Sequence, residues 1–250
     1  MNRLARPLLL AAAMAMLSAL PAAAQDFSAA QRSEIEKIIK DYLIKHPEVL
    51  QEAMAELEKK QQLAETEKAR SAIKNHSDAL FNSPRQVVLG NPQGDVTFVE
   101  FFDYNCGYCK RALNDMVELM GKDPKLKVVL KEFPVLGPGS VEAAQVAVAV
   151  RMQDKSGKKY LEFHQKLLGG RGQVDKAKAL AAAKEIGLDM ARLDKDLKSD
   201  EVSKTLEESM KLAEALGLNG TPSYVIGNDV VIGAVGQAQL SQKIQAARQQ

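Results

Sequence analysis

The chain contains two cysteines, Cys106 and Cys109, and both lie in the stretch Phe101 to Lys110 (FFDYNCGYCK), where an extended pattern gives way to a helical one. The residues before them (Val96, Phe98, Val99, Phe101, Phe102) are β-branched or aromatic and read as a strand. After them Leu113, Met116, Val117 and Met120 fall on one helical face. Cys106 therefore stands at a helix N-terminus, where unpaired backbone N–H groups and the helix dipole favour an anion over a neutral thiol. A thiolate near neutral pH is the expected result. Gly107 and Tyr108 add no fixed cation, so its stabilisation should rest mainly on the helix-end N–H groups. Three residues is close to one helical turn, which puts Cys109 on the same face as Cys106. Cys106 then becomes the attacking sulfur and Cys109 the resolving one.

What two such cysteines do depends on the compartment. Arg3 and Arg6, the apolar run Leu8 to Leu20 and the small residues Ala22-Ala23-Ala24 read as a signal peptide over residues 1–24, cleaved before Gln25. The apolar run is too short to span a bilayer, and Pro21 ends it. Export is expected, and with it an oxidising surrounding in which the pair is a redox couple, a closed bridge or a metal site. A bridge over two intervening residues closes so small a loop that it stabilises little, which favours the redox couple. Removing Arg3 and Arg6 leaves 32 basic against 32 acidic residues, so no nucleic-acid partner is expected.

Before the cysteines, Ile35, Ile38, Ile39, Tyr42 and Leu43 recur at helical spacing, and His46-Pro47 breaks that helix and starts another. In the second, Leu50, Met54, Leu57, Gln61 and Ala64 step in a short heptad rhythm. Such a seam cannot hold a lone helix in water, so it either packs on the main domain or pairs with copies of itself. An exposed apolar stripe on an appended helix favours self-association. The expected layout is a helical appendage over residues 25–75, a linker over 76–85, and a catalytic domain over 86–250.

That domain opens with strands at Gln86 to Leu89 and Val96 to Asp103, and a third runs from Lys127 to Val135. With the intervening helix the second and third make a βαβ unit. Five amphipathic runs then form a helical insertion over 138–217, parted by Gly157, Gly169-Gly170, Gly187 and Asp200. After Gly220-Thr221-Pro222 come a hairpin (Tyr224 to Ile226, Val230 to Val235) and a last helix from Gln237.

The cysteine pair after a strand, the βαβ unit, the helical insertion and the Thr-Pro before a closing hairpin together resemble the thioredoxin fold in its DsbA-like form, an α/β architecture, over about residues 86 to 248. The resemblance implies a cis Thr221-Pro222 bond facing the cysteines, with the Thr221 backbone binding an extended substrate. It also implies that Glu100, six residues before Cys106, is a buried acid handling the proton of Cys109. Alternation supports its burial only weakly, since Val99, Phe101 and Phe102 make the strand apolar on both faces. Asp103-Tyr104-Asn105, the Gly-Tyr dipeptide and the appended helices resemble the ScsC branch, associated with copper tolerance. That likeness implies a periplasmic disulfide isomerase or reductase assembled through residues 25–75, as a trimer. It would act on exported proteins, with Tyr108 in the substrate site, and be kept reduced by a membrane partner of the DsbD type.

The alternatives are a net dithiol oxidase, which the Cys-Gly-Tyr-Cys sequence makes the weaker reading, and a Cu(I)-binding protein. Soft thiolates suit Cu(I), but Cys106 and Cys109 have no nearby His or Met to complete a dedicated site. His46, His76 and His164 share no ligand spacing. No cofactor is expected beyond the Cys106-Cys109 pair.

Overall fold

The structure is a computed structural model that describes residues 27–154 and 156–249. The signal peptide expected over residues 1–24, with its cleavage before Gln25, lies outside the described residues. Two compact units divide between Lys59 and Lys60.

In the first unit α1 (Ala29–Lys45) starts at Ser28, whose hydroxyl accepts from the Gln31 N–H while the Gln31 side chain accepts from the Ser28 N–H. It stops at His46, where the proline that follows disfavours helical angles (φ −127°, ψ 63°). α2 (Glu48–Asn75) begins directly after Pro47. No residue from 27 to 59 is buried, and Ile38, Ile39, Tyr42, Leu50, Met54 and Leu57 are exposed.

The second unit holds the rest of α2 and then, in order, α3 (Ser77–Phe81), β1 (Val87–Gly90), β2 (Val96–Phe102), α4 (Gly107–Lys122) and β3 (Leu126–Glu132). The helical insertion follows as α5 (Pro138–Gln153), α6 (Lys158–Gly169), α7 (Lys176–Glu185), α8 (Met190–Asp196) and α9 (Asp200–Ala215). β4 (Ser223–Ile226), β5 (Asp229–Ile232) and α10 (Gln237–Ala247) close the fold.

The sheet order is β1-β3-β2-β4-β5, with β2 and β3 parallel and the other neighbours antiparallel. Side chains alternate along β2, so Phe98 and Phe102 pack with Met116 of α4 and Tyr160 of α6, while Val99 and Phe101 pack with Leu80 and with Leu212 of α9. Both faces are covered, which explains a central strand that is apolar throughout. α5 is buried almost all round, from Ala143 to Val150, because α6, α7, α8 and α9 all contact it. Gly217, in the left-handed region (φ 69°), ends α9 and lets the Leu218 N–H reach back to the Ala213 carbonyl at 2.8 Å.

Three expectations need correction. Residues 76–85 are not a linker. Leu80 of α3 is fully buried, and the Lys131 and Lys127 ammonium groups donate to the Ala79 and Phe81 carbonyls at 2.7 Å each, meeting carbonyls that the end of a helix leaves open. Arg85 pairs with Glu201 and Glu208 of α9, and Arg151 of α5 donates to the Pro84 carbonyl at 2.8 Å. The appendage expected over 25–75 likewise forms a compact unit only as far as Lys59; beyond it, Ile73 is buried in the second unit. The third strand also ends earlier than expected, at Glu132, and residues 133–136 form a loop.

If residues 76–85 are part of the catalytic core, Leu80→Ala should cost about 2–5 kcal/mol in urea unfolding, the range for truncating a buried leucine. A loss within about 0.5 kcal/mol, as at a surface site, would return this stretch to a linker.

Candidate active site

β2 delivers the chain to Phe102, three residues turn it, and Cys106 becomes the N-cap of α4 in extended backbone geometry (φ −76°, ψ 117°). Both thiols are free. Cys106 is 6% exposed and Cys109 is fully buried one turn on, so one sulfur reaches the surface and the other lies beneath it. The Thr221-Pro222 bond is cis, and the Cys106 thiol donates to the Thr221 carbonyl at 3.1 Å. The loop before β4 is thereby seated on the reactive sulfur.

Ionisation divides unequally between the thiols. The Cys109 thiol, as hydrogen-bond donor, lowers Cys106 most; against the cost of burial, the Thr221 side chain and the N–H groups of Cys109 and Tyr108 add to it, and the value falls to about 5. Cys109 is pushed far up by its bond to Cys106, by burial and by the charge of Glu100. The leading stabiliser of the thiolate is therefore its partner thiol, with the helix-end N–H groups, expected to dominate, in a supporting place.

Glu100 is buried beneath the pair, on the face of β2 that carries Phe98 and Phe102. Burial first, then the charges of Asp115 and Cys106, raises its carboxyl to about 8. In register with it on β4 stands Tyr224. The Glu100 Oε2 and the Tyr224 hydroxyl are both buried without a hydrogen-bond partner among the described residues. Cys106, Cys109, Glu100, Thr221 and Pro222 thus converge. Tyr108 does not join them: its side chain is 58% exposed, with the Arg111 guanidinium 4.5 Å from its ring centre.

Three polar residues around the turn complete the site, none of which was given a role in it from the sequence. The buried Asp103 carboxylate accepts from the Asn105 N–H (2.7 Å), the Ser140 hydroxyl (2.7 Å), and the Val135 and Leu136 N–H groups (2.9 and 3.0 Å). Asn105 pairs both ways with the Val174 backbone, accepting from its N–H at 2.7 Å and donating to its carbonyl at 2.9 Å. Lys110 donates to the Gly170 and Gly172 carbonyls at 3.1 and 3.2 Å. Gly139 permits the approach of the Val174 loop, since a Cβ there would stand 2.9 Å from the Val174 carbonyl oxygen. The signal for Asp103 and Asn105 in the sequence was their place between two apolar elements; Lys110 had none.

Among the described residues no three His, Cys, Asp or Glu side chains gather as a metal site. Cys106 and Cys109 offer two sulfur donors, a set with the softness Cu(I) prefers.

Comparison with known proteins places the chain among similar folds. A family profile described as a DSBA-like thioredoxin domain matches residues 97–245, and one described as the copper resistance protein ScsC N-terminal domain matches residues 31–64. A thioredoxin-like oxidoreductase from Silicibacter pomeroyi is 46% identical, with 69% of this chain and 98% of that one covered and a TM-score of 0.66. Proteus mirabilis ScsC in a transitional conformation is 30% identical, with 89% and 99% covered and a TM-score of 0.66. Among curated relatives, the Na(+)/H(+) antiporter NhaA 1 of a Mycobacterium species is 26% identical over 171 residues, 66% of this chain but only 27% of the antiporter's length. No helix among the described residues is long and apolar enough to cross a membrane.

Two measurements follow from the ionisation pattern. Absorbance of the reduced protein at the thiolate band should titrate with a midpoint near 5 and vanish in Cys106→Ser; a midpoint left at the ordinary thiol value would contradict the site. Glu100, raised from 4.5 to about 8, takes up a proton on folding, so its contribution is full below about pH 4.5 and is lost as pH rises to about 8. Unfolding of Glu100→Gln should therefore show a stability gain over wild type that grows across that window and then levels. A difference independent of pH would exclude a buried, protonated Glu100.

Proposed function

Because the chain belongs to the DSBA-like thioredoxin domain family, we propose that it is an exported thiol-disulfide oxidoreductase, working in the periplasm to isomerise or reduce disulfides of exported proteins. The observation that carries this reading is the division of labour between the sulfurs, one ionised at a helix start and the other held protonated beneath it. The Cys106 thiolate attacks one sulfur of a substrate disulfide, the substrate S–S bond breaks, and the freed substrate thiolate takes a proton from solvent. If a substrate thiol then attacks the mixed disulfide, the pair is regenerated and only the connectivity of the substrate has changed. If Cys109 attacks instead, its proton passes to Glu100 in the fraction of molecules whose carboxyl is ionised, the Cys106-Cys109 bond closes and two electrons go to the substrate. Return to the dithiol then needs two electrons from outside, the task of a membrane reductase of the DsbD type.

The substrate backbone would lie along Thr221, with Tyr108 at the edge of the site. Residues 27–59 supply a second element. Their apolar side chains are exposed in the single chain, and the segment overlaps the ScsC N-terminal domain match over residues 31–64. This supports self-association, which in our reading is a trimer that presents several dithiols to one misfolded client and raises their effective concentration. The ionised Cys106 also favours a second reading as a net oxidase, since stabilising the dithiol makes the disulfide a better electron acceptor.

Recovery of scrambled ribonuclease, set beside insulin reduction, separates these readings. The full-length mature protein should recover the scrambled enzyme, and its mass in solution should be a multiple of the chain mass. Ile38→Glu with Met54→Glu should sediment as a monomer and lose about tenfold in recovery of scrambled substrate while still reducing insulin. A wild-type protein that oxidises dithiols but recovers no scrambled substrate would leave the oxidase reading.

A further inference from the structure

Four segments meet at the reactive sulfur. Residues 103–111 hold the cysteines, 133–141 join them through Asp103 and Asn105, 169–174 join them through Asn105 and Lys110, and 218–222 bring Thr221 to Cys106. The charged residues of these segments are Asp103, Lys110, Arg111 and Arg171. The one acid is buried under four donors, so the charges that reach the surface are cationic. The acids that border the segments are engaged. Glu132 is buried and accepts from the Tyr160 hydroxyl at 2.7 Å, while Glu142 and Asp175 accept from the Lys176 and Lys178 N–H groups at 3.2 and 2.9 Å. Residues 25–250 carry 32 basic against 32 acidic residues, so this excess is a local arrangement and not a reflection of composition.

The arginines sharpen the pattern. Seven lie among the described residues from 60 onward, and Arg70, Arg85, Arg151, Arg192 and Arg248 each pair with an acid. The two that pair with no acid among the described residues are Arg111 and Arg171, both exposed and both in these segments. Each is also held in place. The Arg111 guanidinium lies 4.5 Å from the centre of the ring of Tyr108, which stands between the cysteines. Stacked on a ring, a guanidinium keeps its planar fork of N–H donors free for a carboxylate. On either side of Arg171 the Gly170 and Gly172 carbonyls accept from Lys110 at 3.1 and 3.2 Å, and the Arg171 carbonyl itself accepts from the Lys178 ammonium. The chain at Arg171 is thereby tied to α4. Cations this near a helix start oppose the helix dipole, and α4 has no acid in its first turn to offset them. A local rule broken beside a reactive atom points to function rather than to stability.

We infer that Arg111 and Arg171 form a cationic rim that recruits acidic segments of exported proteins, meeting a carboxylate side chain next to the substrate cysteine. The occupant follows from continuity with the reactive site. A chain disulfide-bonded to Cys106 has its neighbouring residues beside Tyr108 and the first turns of α4, within the field of both guanidinium groups. Two guanidinium groups are too few for a lipid surface, which takes clusters of about four to eight basic residues. Charges at a rim act chiefly on the rate of encounter, so this one raises kcat/KM for acidic substrates and leaves the exchange at Cys106 as it is. Tyr108 becomes the platform that positions Arg111. This inference rests on the oxidoreductase reading and adds to it a class of substrate.

The test uses the full-length protein with the uncharged hydroxyethyl disulfide and with two peptides, each joined to mercaptoethanol by a disulfide and differing only in glutamates or lysines beside the cysteine. At low salt the wild type should favour the glutamate peptide by about tenfold in kcat/KM, at the lower end of what electrostatic steering provides. The preference should shrink to about twofold at about 1 M salt, where charges are screened beyond about 3 Å. Arg111→Gln with Arg171→Gln should bring the ratio close to one, whereas the two lysine substitutions, which keep the charges, should retain a salt-dependent preference. A wild type that reduces hydroxyethyl disulfide but treats the peptides alike overturns the rim. So does a preference that salt leaves unchanged, or one that the glutamine variant keeps. Peptides treated alike, together with cosedimentation on anionic phospholipid vesicles that the glutamine variant loses, would give these cations to a lipid surface instead. Failure to react with any of the three disulfides would remove the oxidoreductase reading on which the rim depends.

Discussion

A negative charge at the point where β2 passes into α4 is the constraint around which this fold is arranged. The Cys106 sulfur is mostly shielded from water, so the charge persists only because donors surround it: the Cys109 thiol, the Thr221 side chain and the first N–H groups of α4. Each comes from a different requirement. The helix must start at Cys106, Cys109 must fall one turn on, and the loop before β4 must return across the sheet to bring Thr221 alongside. The bond between the two sulfurs lowers Cys106 and raises Cys109, burial adds to the rise of Cys109, and burial raises Glu100, so the contacts of one buried site set three ionisations in a useful order.

The second constraint is the attachment of the helical insertion. It joins the thioredoxin core through covered apolar surface, with α5 at its centre, and also through polar contacts placed next to the reactive sulfur. Asp103 reaches from the cysteine turn to the loop before the insertion, and Asn105 and Lys110 reach to the loop between α6 and α7 within it. A buried polar hub of this kind holds a particular geometry more tightly than apolar packing does, because a small shift leaves a donor or a carboxylate oxygen unpaired. Motion of the insertion relative to the sheet is therefore resisted where it would most disturb Cys106.

Much of this was legible in the sequence where one signal was strong and local. The cysteine spacing, the five helical runs parted by glycines or Asp200, the hairpin after Thr221-Pro222 and the break at His46-Pro47 all appear where expected, although the second hairpin strand ends at Ile232 and not Val235. Glu100 was ambiguous because β2 is apolar on both faces. The pairing of β2 with β3 on one side and β4 on the other, and its coverage by α4, place that residue in the interior. The stretch 76–85 read as a linker because its composition is polar and broken by Pro84. Its order comes from Lys127, Lys131 and Arg151, whose partners lie far along the chain.

The sequence alone determined the chemistry available: two thiols one helical turn apart, a helix start to favour ionisation of the first, an acid six residues before it, and a chain with no net charge once residues 1–24 are set aside. Those are matters of residue type and short spacing, and local backbone physics settles them. Tertiary structure decided what each group experiences. That the partner thiol outweighs the helix end for Cys106, that Glu100 is desolvated, and that Asp103 binds the cysteine turn to a loop some thirty residues on all depend on which distant segments share a low-dielectric space. Burial and long-range hydrogen bonding carry no local signature, because a carboxylate looks the same in a sequence whether four donors or bulk water will meet it.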